Sequence, residues 1–373
     1  MLSDDSFDVH FLYTLCLQLV YKMRGARSVF LLFGVLWCTT SFTPTYDFVD
    51  VRPRVAKKIR TLMVPSVGSL CAPYNISAFS VTCSSHYMEV SESHQPGCSP
   101  NPAVSSCDRV VVPNFLSQSS VYTLVSMAKR GMAKAPNRSQ QRAGPTIMDV
   151  NGGFVLGSGE HQPVSIYRDG QIYSRQEYDS YRRVTTSIKD FIMLYFNLTH
   201  LHFTAPTFIT REIGDGGVWK PATMHDEYWH VHADKNNTQH YDFSGLIYLS
   251  EFNKDFTGGE LEFYDYDSLD CSPFVDAKNP GPCKILGVPD AKVHPSPGKL
   301  IVFGSGRENP HRVKPVIKGT RFVLSFWFTC DDRRKFRHFL DGQAHRAYDR
   351  SASKKNERTR QKKVKEDSTR VDL

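Results

Sequence analysis

No apolar run in this 373-residue chain reaches the 18 or so residues needed to cross a bilayer as a helix. There is no CxxC pair or other zinc-like cysteine spacing, which argues against a structural zinc module. The Gly-rich stretch Gly152–Gly159 is not followed by Lys-Ser/Thr, which removes the phosphate-binding loop of nucleotide hydrolases. No internal repeat is present. Nor does the body of the chain carry a surplus of positive charge. The net charge is +8, but the segment 333–373 holds 14 Lys/Arg against 6 Asp/Glu and accounts for all of it. A nucleic-acid groove needs its basic residues on the folded body, so no nucleic-acid partner is expected. The tail reads first as a solvated charge run, then as a segment attracting an acidic partner or anionic lipid.

The beginning of the chain looks like an address. Met23-Arg-Gly-Ala-Arg27 is a short basic run, Val29–Cys38 is apolar or small, and Thr39, Thr40 and Ser41 follow. This order describes a secretory leader over residues 1–42, with Met23 placed as an initiator would be. A cleaved signal is the first choice and an uncleaved single-pass anchor, with membrane association, the second. A buried helix fits less well because Val29–Cys38 has no polar face. Sequons at Asn75, Asn137, Asn197 and Asn236 suit the same compartment, the lumen of the endoplasmic reticulum or Golgi. So do the seven cysteines beyond the leader, which read as disulfides in an oxidising lumen. Cys271 and Cys283 flank a Pro/Gly-bearing loop and could pair locally.

Segment 43–106 is rich in Ser, Pro and Cys and lacks strong periodicity, so a small, disulfide-tied or partly irregular unit is expected there. The main domain is set at 107–332. In it, Asp108–Leu116 has a short strand pattern, Ser117 could cap a helix running to about Lys129, and Ser187–Phe196 could form a helix. Short β-rich runs then recur at His200–Arg211, Tyr228–Ala233, Ser244–Leu249, Glu260–Tyr264, Lys299–Phe303 and Arg321–Thr329, with Gly, Pro, Asn and Asp between them. That spacing indicates a mainly β sandwich or barrel with a core at 200–330, not alternating βαβ units.

The chemistry concentrates in Tyr228-Trp-His-Val-His-Ala-Asp234. On a strand, residues two apart share a face, so His232 and Asp234 offer an imidazole and a carboxylate to one metal. His311, in Glu308-Asn-Pro-His-Arg-Val-Lys314, supplies the second imidazole. Two His and one carboxylate leave open positions on an octahedral metal, which suits non-haem Fe(II). Arg321 follows His311 by ten residues, and Arg321, Val323, Ser325 and Trp327 alternate onto one strand face. A guanidinium at the end of an apolar pocket can grip a carboxylate. Ser325 could add a hydroxyl donor, and Trp327 could wall the pocket. His230 suits a supporting or substrate-side role. His225-Asp-Glu227 is a rival metal pair that lacks the downstream spacing. Gly258-Gly259 reads as a turn that needs positive φ.

These motifs resemble the prolyl-hydroxylase-like Fe(II)/2-oxoglutarate dioxygenases. The likeness runs through His232-Ala-Asp234, Ser244-Gly-Leu-Ile-Tyr-Leu-Ser250, Phe256-Thr-Gly-Gly-Glu-Leu-Glu-Phe263, Pro297-Gly-Lys-Leu-Ile-Val-Phe303 and Glu308–Arg321. It is nearest to prolyl 3- and 4-hydroxylases and to membrane-associated 2-oxoglutarate and iron-dependent oxygenase domain-containing proteins. The resemblance implies a double-stranded β-helix, or jelly roll, with supporting N-terminal helices. It implies hydroxylation of protein side chains, prolyl first and lysyl next, coupled to decarboxylation of 2-oxoglutarate to succinate. Ascorbate would keep the iron reduced, and the partner would be a protein or peptide substrate of the secretory pathway. On the same ground His232, Asp234 and His311 hold Fe(II), Arg321 anchors 2-oxoglutarate, and Trp327 belongs to its pocket. A family Tyr shortly before the metal motif is not matched, since position 223 is Thr; Tyr248 is the substitute candidate. A non-catalytic luminal binding module or a cupin-like metal enzyme without 2-oxoglutarate are the rival readings.

Overall fold

The computed structural model describes residues 49–51, 57–66, 69–79, 108–136, 142–205, 207–220, 229–265, 268–270 and 284–337, the first three ranges as strand backbone. The leader, the segment 338–373, Cys271, Cys283, Thr223, His225 and Glu227 lie outside the described residues.

Among the described residues the chain forms eighteen strands. In chain order, β1 to β9 are Val49–Val51, Lys57–Ser66, Ser69–Phe79, Arg109–Val112, Gly144–Asp149, Phe154–Leu156, Val164–Ser165, His202–Phe203 and Phe208–Asp215. Strands β10 to β18 are Phe243–Tyr248, Phe256–Gly258, Leu261–Phe263, Leu269–Asp270, Lys284–Ile285, Ala291–Val293, Leu300–Gly304, His311–Val313 and Val316–Thr329. Three α-helices join them among the described residues: α1 (Gln118–Met132), α2 (Arg175–Tyr195) and α3 (Asp234–Asn237).

Two antiparallel sheets face each other. The larger carries the core order β9-β18-β10-β16 and continues outward through β4, β3 and β2 on one side and β5, β6 and β7 on the other. The smaller has the order β1-β15-β12-β17, and His232 joins its β17 edge through a bridge to His311. Along the chain the path visits the large sheet at β9, the small one at His232, the large at β10 and the small at β12 and β15. It then returns to the large at β16, the small at β17 and the large at β18. This winding is a jelly roll.

The periodicity of β18 explains why the large sheet is buried on both faces. Phe322, Leu324, Phe326 and Phe328 join Val110, Val112, Phe243, Ile247, Leu300 and Val302 in the main core, against α1 and α2. The alternate residue Val323 joins Val111, Tyr248, Ile301 and Phe303 in a second core between the sheets. Thus every second side chain faces helices and the rest face the barrel. The helices close as their sequences dictate. Ser117 accepts from the backbone N–H of Ser120 at the start of α1, and Ser174 with Glu177 forms a reciprocal capping box on α2.

Several expectations shift. Helix α2 begins at Arg175, twelve residues before Ser187, because the Ser174 cap lies upstream of the apolar run. Arg321 does not open its strand: β18 starts at the buried Val316, and Ile317, Lys318 and Gly319 after it are exposed. Segment 43–106 contributes strands, with β1 pairing β15 and β3 pairing β4, so it extends both sheets. Gly258 and Gly259 do take positive φ, 77° and 72°, as the turn requires. Among the described residues no helix is long and apolar enough to cross a membrane.

Candidate metal centre

His232 and His311 are held face to face by their own backbones. Each donates its N–H to the other's carbonyl at 2.9 Å, which places the ring centroids 4.6 Å apart. Asp234 is not on the same strand face. The expected strand at Tyr228–Ala233 is reduced to the single bridge at His232, and Asp234 opens α3. The chain turns there because the N–H of Lys235 is taken by the carbonyl of Ser305 at 2.9 Å, and Lys235 Nζ pairs with Asp242 at 3.0 Å. The turn brings Asp234 Oδ1 to 3.6 Å from His232 Nε2 and 3.9 Å from His311 Nε2. The three residues offer ligand atoms within 4.8 Å of one another, the one such group among the described residues.

The surroundings prepare these atoms for a cation. His311 Nδ1 bonds the carbonyl of Asn309 at 2.9 Å and His232 Nδ1 that of His230 at 3.0 Å. A carbonyl only accepts, so each Nδ1 carries a proton, which leaves Nε2 as the atom that can present a lone pair to a cation. Ser244 Oγ donates to Asp234 Oδ2 at 2.5 Å and sits 2.6 Å from Ser305 Oγ, which leaves Oδ1 for the metal. Burial alone would raise the Asp234 carboxyl, but the two imidazoles and the Ser244 hydroxyl outweigh it and hold it well below the carboxylate range. Burial pushes His311 down to about 4 against the pull of Asp234. His232 is also pulled down by burial, but its bond to Asp234 wins and the net shift is upward. An ionised carboxylate and imidazoles with Nε2 aimed inward are what a divalent cation requires, so the donor set fits Fe(II).

The centre opens into a cavity of about 750 Å³. Arg321, Ser325 and Trp327 line it, as the alternation on β18 predicts, together with Val323, Leu246 and Val313. Arg321 is 1% exposed, and its Nη1 donates to Glu212 Oε2 at 3.0 Å. Tyr248 is fully buried behind the cavity wall, its ring centroid 5.4 Å from the Arg321 guanidinium carbon. A guanidinium that is enclosed, on the sheet facing that of His311 and open to the same cavity, fits one end of a dicarboxylate. Trp327 stacks on Tyr241 at 5.4 Å and meets Phe208 edge-on at 6.0 Å, which makes one side of the cavity aromatic.

Sequence reasoning missed three contributors. Glu212 lies one residue past the expected end of its strand, although Phe208, Thr210 and Glu212 alternate inward together. Ser244 was read only as part of a motif. Arg109, 0% exposed, reaches across 200 residues to give Asn309 Oδ1 a 2.8 Å bond, so it holds the loop whose carbonyl orients His311. Its side chain also lies 4.7 Å from the Phe263 ring centroid.

The family model of the 2OG-Fe(II) oxygenase superfamily matches residues 220–329, the stretch that contains all three metal ligands and Arg321. The chain carries a 2OG-Fe(II) oxygenase domain. Among curated proteins it is 29% identical over 260 residues to 2-oxoglutarate and iron-dependent oxygenase domain-containing protein 3 of Xenopus tropicalis, covering 68% of this chain and 70% of that one. Against prolyl 3-hydroxylase 1 of Gallus gallus the identity is 31% over 172 residues, 42% of this chain and 20% of that one. Solved structures similar to the oxygenase domain include a prolyl hydroxylase from Trichoplax adhaerens, with 16% identity, TM-score 0.38, and coverage of 61% and 85%. A Pseudomonas putida prolyl-4-hydroxylase has 20% identity, TM-score 0.36, and coverage of 59% and 91%. A domain of this superfamily implies Fe(II) and 2-oxoglutarate, and a His-Asp-His group is present in it.

Proposed function

We propose that this protein is a dioxygenase that hydroxylates protein side chains, prolyl residues first and lysyl residues next, in the lumen of the secretory pathway. The observation that carries the reading is the placement of a complete His232/Asp234/His311 centre and the buried Arg321 in one cavity. Bound Fe(II), with 2-oxoglutarate and O₂, supplies decarboxylation of the cosubstrate to succinate and insertion of an oxygen atom into a C–H bond. The protein's own residues do the rest. His232, Asp234 and His311 would hold the cation. Arg321 fixes the distal carboxylate, and Ser325, two residues along the same face, has a hydroxyl to add. The Trp327–Tyr241 stack presents a flat apolar wall against which a pyrrolidine ring packs well.

The prolyl preference is supported by the names of the relatives, prolyl 3-hydroxylases among them. The compartment is supported by the leader-like order of residues 23–41 and by Cys330, a buried cysteine that is disulfide-bonded. Ascorbate is expected to sustain turnover by keeping iron reduced. Of the rival readings, a cupin-like enzyme has no use for Arg321 in the cavity, and a binding module has no need of the whole triad.

The test is succinate release with Fe(II), 2-oxoglutarate and O₂, using proline- and lysine-bearing peptides and mass spectrometry for the added hydroxyl. Wild-type protein should give succinate and His232→Ala none. Failure of the anaerobically purified, iron-loaded protein to release succinate under any peptide would defeat the enzyme reading. Turnover with hydroxyl only on lysine would overturn the prolyl preference.

A further inference from the structure

The end of the cavity that is to receive a carboxylate already contains one. Glu212 on β9 stands opposite Arg321 on β18 in the strand register, and its Oε2 accepts the 3.0 Å bond from Nη1. The side chains of Arg321 and Glu212 are 1% and 6% exposed, and both line the cavity. Three other elements pack around the pair. From β10 comes Tyr248, with its ring by the guanidinium. Glu260, just before β12, is buried, and its Oε2 has no hydrogen-bond partner. Its charge and that of Glu212 both act on Tyr248. Strand β5 sets Pro145 opposite Glu212 and brings no charge there. Arg321 is therefore the one cation among these groups, and it is already balanced by an acid.

A 2-oxoglutarate molecule brings a further carboxylate to this guanidinium. Two carboxylates enclosed together do not both stay ionised; one of them takes a proton. A guanidinium has five N–H donors, enough to serve both. Burial already raises the Glu212 carboxyl above its ordinary range, against the opposing pull of Arg321.

We propose that Glu212 is part of the cosubstrate site: the distal carboxylate of 2-oxoglutarate shares Arg321 with Glu212, which takes one proton from solvent and donates it in a hydrogen bond to the incoming carboxylate. The inference rests on the oxygenase reading above. It makes cosubstrate binding a proton-uptake reaction and makes Glu212 a determinant of its pH dependence.

Calorimetric titration of 2-oxoglutarate into the anaerobic, Co(II)-loaded chain tests this without turnover. Repeating it in buffers of different ionisation enthalpy counts the protons. Wild-type protein should take up close to one proton per ligand, and its apparent Kd should weaken about tenfold per pH unit once free Glu212 is ionised. Glu212→Gln keeps an acceptor oxygen for Arg321 and should bind with no net uptake and no such slope. Zero uptake by wild-type protein, or a folded, Co(II)-binding Glu212→Gln that no longer binds 2-oxoglutarate, overturns the proposal while leaving the enzyme reading intact. If Co(II) binds but 2-oxoglutarate binds neither protein, the oxygenase reading itself falls. The wild-type proton count decides the matter even if the variant does not fold.

Discussion

Ser244 shows how much of the centre depends on groups that never touch the metal. Its hydroxyl engages Asp234 Oδ2 and so dictates which oxygen of the carboxylate faces the two imidazoles. Removing it leaves Oδ2 to compete for the cation and frees the side chain to rotate. Ser244→Ala should weaken Co(II) binding about 10–100-fold, the usual cost of losing such an outer contact. Titration of the visible Co(II) absorption measures this, and an unchanged affinity would show that α3 alone positions the carboxylate. The serine was visible in the sequence, but its role was not. Position 244 is ten residues from Asp234, and only the turn at α3 brings them together. Arg109 illustrates the same gap over 200 residues, because a buried arginine in a Val-rich strand reads as an anomaly until its partner Asn309 is seen.

At the scale of elements, strands β10, β16 and β18 were legible from alternation, since each separates two apolar faces. The strand expected around His232 was not formed. Its residues have the composition of a strand, but it needs a long edge to pair with, and β17 is only three residues long. Close packing on the helix side of the large sheet is equally specific. A Cβ at Gly245 would stand 2.0 Å from the Phe326 ring, which is fully buried and packed 5.3 Å from Phe328. Gly245→Ala should therefore destabilise the fold by about 1–3 kcal/mol through overpacking. Urea denaturation reads the shift, and a midpoint equal to wild type would mean that β10 and β18 can separate without cost.

For the whole molecule, the metal and the fold should be linked through pH. His311 has its folded value lowered from 6.5 to about 4, so the stability it contributes is present above 6.5 and is lost as pH falls through about 4. Asp234, also lowered, acts in the same sense at still lower pH. His232 is raised, so its contribution is full below 6.5 and is lost as pH rises through its folded value. A cation needs its lone pair and must displace that proton. The increase in Tm on adding Co(II) should thus grow with pH from 5 to 8, while the metal-free protein weakens between pH 6.5 and 4. Differential scanning fluorimetry with and without Co(II) checks both trends. An increment independent of pH would mean that His232 binds without losing a proton.

Read alone, the sequence was enough to offer two imidazoles and a carboxylate as ligands, a mainly β sandwich or barrel and the inward face of β18, while the jelly-roll class came from the resemblance of its motifs to a known family. The first three follow from residue type and from a period of two, which are local properties. The carboxylate's seat on α3, the clamp of Arg109 on the His311 loop and the meeting of Glu212 with Arg321 were decided by the fold. Each depends on which strands become neighbours, and that is fixed by burying two apolar faces of one sheet at once, not by any stretch of chain alone.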